Sequence, residues 1–396
     1  MFTQSLNLCA FECLNIMPEP FKNVFDLDLV HNMARHFQRI YPDFAYDAFI
    51  QEVSLDFDSL EFKQRSNRIF DVMEVYLPQD FEQAARIIEL SLGDQIEGEW
   101  SSTTSNENGI SGWAVLPMAD YVAKRGRAHF KYAMHLLKAL TKRNTAEFAI
   151  RYFLEAEPER TLAVMKAWAL DDNIDVRRLA SEGCRPRLPW GLRLKTFVND
   201  PEPVIELLSL LKDDPSEYVR RSVANNLNDI AKDHPDRVCE VAIEWLQNAS
   251  PERVALIKHG CRTLVKKGHI GTLEALGYKP AQLSNIKLST SSPILKFGAH
   301  IELIANIESD NDSTQSLMID YIVHHQKANG STSPKVFKWK TLELAPKSQI
   351  SLKKRHTIKP ITTRVYYPGV HKVELQINGK VVADTQFDLQ MSNYGL

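Results

Sequence analysis

The chain has 396 residues, 44% hydrophobic and 25% charged, with a formal net charge of −2. This composition excludes wholesale disorder and collagen-like repetition, and the length suggests two or three domains. No apolar run approaches the ~18 residues that a membrane helix needs. The first twenty residues carry Glu12 inside their apolar stretch and no Lys or Arg, so they lack the pattern of a secretory signal.

The five cysteines are scattered and form no CxxC pair. A zinc ribbon or a disulfide framework is therefore not expected, and reduced thiols in a cytoplasmic protein are. Charge is distributed unevenly. Residues 1–120 hold 7 basic against 20 acidic side chains, residues 121–280 hold 27 against 21, and residues 281–396 hold 14 against 9. Two-thirds of the chain is thus basic and suited to meet a polyanion, while the acidic end would stay out of its way.

Residues 25–90 read as helices, with apolar positions at helical spacing and Pro42 and Pro78 as punctuation. The stretch 98–112, GEWSSTTSNENGISG, reads as a loop. From Trp113 to Gly277 helical periodicity returns with an internal repeat. Asp171-Asp172 followed by Val176-Arg177-Arg178 is echoed by Asp213-Asp214 followed by Val219-Arg220-Arg221, so the arginine pairs stand 43 residues apart. A period of ~40–47 residues with two helices per unit is that of HEAT-type arrays. One helix pair cannot bury its own apolar faces, so neighbours are expected to stack into a curved solenoid, with the second helices along its inner side.

Residues 282–396 alternate with period two, in runs separated by Asp-Asn-Asp, Asn-Gly and Pro-Gly turns. Six or seven short strands predict an immunoglobulin-like β-sandwich. The expected fold is therefore mainly α, a HEAT-like repeat solenoid over residues 1–280, followed by an all-β sandwich over 284–396. Within the sandwich, Lys353, Lys354 and Arg355 form a basic run that reads as a solvated loop or a DNA contact. His324 and His325, adjacent on one strand, point to opposite faces and cannot chelate one metal together.

Signatures of common enzymes are missing: there is no phosphate loop, no GxGxxG after a strand, no HExxH and no GxSxG. The richest stretch is VRRLASEGCRPRLPW at 176–190. Arg177, Arg178, Arg185 and Arg187 could each meet a phosphate oxygen, or could brace the turn between repeats in Arg–Glu pairs. Trp190, between Pro189 and Gly191, could present its ring to a sugar or a base, or be buried. In TAEFAIR, Glu147 and Arg151 are four apart and read as sharing a helix face, either as a plain salt bridge or as a carboxylate with its orienting partner. On SVANNLNDIAKDH, Asn225 and Asp229 share one face, as do Asn228 and Lys232. These could serve backbone contacts or hydrogen bonds between repeats.

LPMADYVAKRG (116–126), TAEFAIRYFL (145–154), VRRLASEGCRPRLPW (176–190) and DDPSEYVRRSVANNLNDIAKDHP (213–235) resemble the HEAT-like-repeat alkylpurine DNA glycosylases of the AlkC type. The C-terminal strings IDYIVHHQKANGSTSPKVFKWK and TTRVYYPGVHKVEL resemble the immunoglobulin-like domain appended in one branch of that family. The resemblance implies hydrolysis of the N-glycosidic bond of cationic N3-alkylpurines, chiefly N3-methyladenine, in double-stranded DNA. It implies that the base is not flipped out, that an abasic site remains, and that neither cofactor, metal nor lyase step is used. A monomer acting on cytoplasmic, nucleoid DNA is expected. Glu147 is the first choice for the catalytic carboxylate, with Asp120 and Glu182 as alternatives. Trp168 and Trp190 are the expected aromatic contacts to the damaged nucleotide. Arg151, Arg177, Arg178, Arg185, Arg187, Arg220, Arg221, Lys232, Asn225 and Asn228 are the expected DNA-binding residues. The competing expectation, from a different class, is a non-catalytic HEAT scaffold that binds DNA or protein partners.

Overall fold

The computed structural model describes residues 20–95, 105–362 and 364–391. Its helices are α1 (Leu27–Ile40), α2 (Tyr46–Ser54), α3 (Phe62–Tyr76), α4 (Phe81–Leu90), α5 (Val115–Arg125), α6 (Phe130–Thr141), α7 (Ile150–Ala156), α8 (Pro158–Trp168), α9 (Ile174–Gly183), α10 (Lys195–Asn199), α11 (Glu202–Leu211), α12 (Glu217–Ile230), α13 (Pro235–Leu246), α14 (Pro251–Gly260), α15 (Arg262–Lys267) and α16 (Ile270–Ala275). The strands are β1 (Leu283–Thr290), β2 (Ile294–Lys296), β3 (His300–Ser309), β4 (Gln315–Gln326), β5 (Thr332–Leu344), β6 (Gln349–Thr357), β7 (Gly369–Ile377) and β8 (Lys380–Gln390). The body is thus helical and the C-terminal region all-β, as the sequence patterning predicts. Among the described residues no helix is long and apolar enough to cross a membrane.

Local chemistry sets where the helices begin. Asp26 accepts from the backbone N–H of Leu29 at 2.7 Å and Asp80 from that of Gln83 at 2.9 Å, satisfying donors that the first turn leaves unpaired. A proline opens α8, α13 and α14, where its missing N–H costs nothing. Part of the 98–112 loop, residues 98–104, lies outside the described residues. Its remainder is anchored by Ile110, which is buried and bridged to Leu92.

The chain forms two compact units. The first runs through Gly183 and takes in residues 190–192; the second holds residues 184–189 and everything from Arg193 onward. In the first, α9 packs against α6 and α8. In the second, α12 packs against α11, α13 and α14, and the strands share the unit with these helices.

The strands form a three-stranded sheet, β1-β3-β6, and a five-stranded sheet, β2-β8-β7-β4-β5, antiparallel except for the β2–β8 pair. Their inner faces bury Leu303, Ile319, Val323, Trp339, Val373 and Phe387, with no disulfide needed. The two strands beyond the expected runs are β2, only three residues long, and β6. Lys353, Lys354 and Arg355 therefore do not form a loop but sit on β6, paired in register with Ile304, Leu303 and Glu302. Alternating charges hid this strand, because Leu352 and His356 supply its buried positions. The β7–β8 hairpin turns on Asn378-Gly379, both at positive φ, and packs on the helices of its own unit. A Cβ on Gly379 would stand 2.8 Å from the Cα of Gly268. The Asn378 amide donates to the carbonyls of Lys279 and Ser316.

Candidate active site

Four segments of the first unit build the site: the turn 145–149, α7, α9 and residues 190–192. Glu147 does not lie on a helix face with Arg151, as the spacing predicts. It sits in the turn that precedes α7 and is 9% exposed. The hydroxyl of Thr145 donates to its Oε2 at 3.0 Å and accepts from its backbone N–H at 3.2 Å, so the side chain closes its own turn. The same Oε2 accepts a short hydrogen bond from Nη1 of Arg178 on α9. Nη2 of Arg178 stands 3.6 Å from Oε1 of Glu182, one turn further along α9 and 5% exposed. One guanidinium thus lies between two nearly buried carboxylates, which in its absence would repel each other.

Asp120 is not in this cluster. It lies on α5, 3.5 Å from Nζ of Lys63 on α3, in a cleft lined by Phe70, Lys124, Arg127 and Tyr152. Burial pushes its carboxyl above the ordinary range, and Lys63 pulls it back. Lys63 also stands 5.6 Å over the ring of Phe148.

Arg151 is fully buried. Its Nη1 donates to the carbonyl of Gly183 at 2.8 Å, its Nε donates to that of Leu192 at 2.7 Å, and its Nη2 donates to Leu192 as well. A side chain so enclosed cannot reach a phosphate, which corrects the expectation of DNA contact. Instead it ties the end of α9, where Glu182 stands, to the segment that carries Trp190. Trp190 is 84% exposed and its φ is +63°, a left-handed conformation costly for an aromatic residue. An indole held out in solvent by strained backbone contributes little to a core. Trp168 is the opposite case: 6% exposed at the end of α8, it belongs to the core, which corrects its assignment as a lesion contact.

The repeated arginine pairs have a structural origin. Nη1 of Arg177 donates to the carbonyls of Asp171 and Asp172, both at 2.9 Å. Nη1 of Arg220 donates to those of Asp214 and Pro215, at 2.6 and 2.9 Å. The offsets are identical, so each first arginine ties down the turn before its helix. Arg221 is exposed and pairs with Glu217.

In the second unit, Arg185 is buried against Asp229 at 2.8 Å, and Asp229 also takes Lys232 at 2.8 Å. Arg187 grips Asp233 through two nitrogens. Asn225 accepts from Arg262 at 3.1 Å, and Asn228 from the hydroxyl and the backbone N–H of Thr263. Of the expected cations here, Arg221 and Lys232 keep the most accessible charge; Arg185 and Asn228 are buried braces rather than open contacts.

One buried carboxyl on α9 escaped the sequence reading. Asp175, in the first turn of α9, is 5% exposed, and its Oδ1 has no hydrogen-bond partner among the described residues. A lone Asp after Asn173 reads as a helix start; only its burial singles it out.

A family model described as DNA alkylation repair enzyme matches residues 107–252, and one for the YhaZ C-terminal Ig-like domain matches residues 284–391. The chain belongs to the DNA alkylation repair enzyme family, in its AlkC-type branch with an appended immunoglobulin-like domain. The uncharacterized protein YhaZ of Bacillus subtilis (strain 168) is 35% identical over 370 residues, which span 93% of this chain and 99% of the relative. The Pseudomonas fluorescens alkylpurine DNA glycosylase AlkC, solved bound to DNA containing an abasic site analog, is 34% identical. That match covers 94% of this chain and 99% of that one, with a TM-score of 0.82.

Proposed function

We propose that this protein is a monofunctional DNA glycosylase that releases cationic N3-alkylpurines, chiefly N3-methyladenine, from double-stranded DNA and leaves an abasic site. The observation that carries the reading is the single guanidinium of Arg178 lying between Glu147 and Glu182, on the helix whose end Arg151 ties to the exposed Trp190 segment. Kinship with an enzyme solved on abasic DNA supports it.

N3-alkylation places a positive charge on the purine, so the base is already a good leaving group and needs no strong acid or metal to depart. What the protein must supply is a negative environment for the sugar cation and an oriented water. Glu147, ionised and held by Thr145 and Arg178, stabilises the oxocarbenium-like sugar and orients or deprotonates the attacking water. Glu182 adds negative charge from α9. The indole face of Trp190 attracts the cationic sugar or base. The groups reach the sugar from the backbone side while the base stays stacked, unlike enzymes that extrude their target. Selectivity then rests on the lability of the cationic lesion, and neutral lesions are poor substrates. The protein works as a monomer on cytoplasmic DNA, with Arg221 and Lys232 as the foremost phosphate contacts.

The test is incubation with methylated duplex DNA, followed by assays for free base and for abasic sites. Release of N3-methyladenine without strand cleavage is the expected result. DNA binding without abasic sites would favour a non-catalytic scaffold.

A further inference from the structure

Two carboxylates flank one guanidinium in the first unit, and a third carboxyl, Asp175, lies three residues before it on the same helix. Arg178 is bonded to Glu147 and close to Glu182. Asp175 lies one turn before Arg178 on the same helix, as buried as Glu182, with no donor to its Oδ1 among the described residues. A helix start needs no such residue, because Asn173 already caps α9 through the backbone N–H groups of Asp175 and Val176. A buried carboxyl left partly unsatisfied costs stability, and such costs gather at functional sites.

We infer that Asp175 is a further positioning residue of the carboxylate cluster, acting on Glu147 and Glu182 through Arg178. The inference rests on the glycosylase reading above. α9 packs on α6 and α8, and its last residue, Gly183, accepts from Arg151 of α7. Lys138 of α6 is bonded to Asp171, and Arg160 of α8 to Glu157. Arg178, three residues further along α9, draws the Asp175 carboxyl toward its charged form. Burial pushes the Asp175 carboxyl up to about 6, against the pull of Arg178. Asp175 therefore exchanges its proton near neutrality. Protonated, it leaves Arg178 wholly to the two glutamates. Ionised, it draws on the guanidinium and adds negative charge beside the sugar that becomes cationic. That favours the transition state and disfavours binding of the polyanionic DNA.

The experiment is the pH dependence of base release from methylated duplex DNA by the whole protein and by Asp175→Asn, with kcat and KM separated and thermal stability measured alongside. The wild type should gain kcat as pH rises from 5 to 8, and Asp175→Asn should lose that limb. At pH 8 its kcat should fall about 5- to 10-fold with KM unchanged or lower, and at pH 5 it should lie within about two-fold of the wild type. Its stability should hold or rise at pH 8, because a raised carboxyl contributes stability that is lost as pH climbs through about 6. Superimposable pH profiles, or equal losses at both pH values accompanied by lower stability, would overturn the inference and leave the glycosylase reading standing. A wild type that releases no base would overturn that reading, and this inference with it.

Discussion

Arg151 and Leu192 are joined through two guanidinium nitrogens on one backbone carbonyl, inside the protein and 41 residues apart in sequence. The same side chain holds the carbonyl of Gly183. Substituting Arg151→Met would leave the buried carbonyl of Gly183 and the half-buried carbonyl of Leu192 without this donor, at about 1–3 kcal/mol for the buried one. We expect a lower melting temperature and, with stability restored by working at low temperature, slower base release at near-normal DNA affinity. Arg151→Lys, with one donor head for two carbonyls, should fall between. Weaker DNA binding with stability untouched would instead return Arg151 to the phosphate contacts.

Asp120 pairs with Lys63 and makes no ion pair with Arg178 among the described residues. Asp120→Asn should therefore slow base release less than about three-fold, since it removes no charge beside Glu147 and Glu182. Loss comparable to that of Glu147→Gln, at unchanged stability, would show that the third carboxylate takes part in the chemistry.

The arginine pairs divide into turn clamps and open charges. Arg177→Ala and Arg220→Ala should cost about 1 kcal/mol or more of stability each and leave the salt dependence of DNA binding almost unchanged. Arg221→Ala should do the reverse, reducing the slope of log affinity against log salt by roughly one while the melting temperature stays put. Calorimetry and a salt titration on each variant check this. A changed salt slope for Arg177→Ala would contradict the clamp.

The sandwich carries an acid-sensitive core. His356 is buried with Nδ1 hydrogen-bonded to Tyr321 and Nε2 without a partner among the described residues, and its ring lies tilted 6.4 Å from that of His325. Burial pushes its pKa down to about 4, and lowers that of His371 too. Both rings are neutral when folded and charge more readily when unfolded. Stability is then full above the unfolded value near 6.5 and is lost as pH falls from there through about 4. Thermal unfolding followed between pH 7 and 4 should show this decline, and His356→Phe should lessen it. An equally steep decline in that variant would assign the sensitivity to other groups.

Fold class was legible because periodicity is a surface property of the text: a helical period up to Gly277 and alternation beyond it. What was illegible depended on depth and on distant partners. Arg151 and Arg178 look alike in sequence, yet one is sealed against two carbonyls and the other mediates between two glutamates. Arg177 and Arg220 stood out by their repeat, whose cause is the carbonyl pair six and five residues earlier. Trp168 and Trp190 were equivalent candidates until burial separated them. Asp175 gave no signal, since an acidic residue in a first turn is what any helix prefers.

The central claim is that Glu147 steadies the sugar cation. It is tested most directly by single-turnover release of N3-methyladenine from duplex DNA by the wild type and by Glu147→Gln, with DNA affinity measured in parallel. The rate should fall about 100-fold or more with affinity within about three-fold, because the amide keeps the shape and removes the charge. Release by Glu147→Gln at the wild-type rate would contradict it.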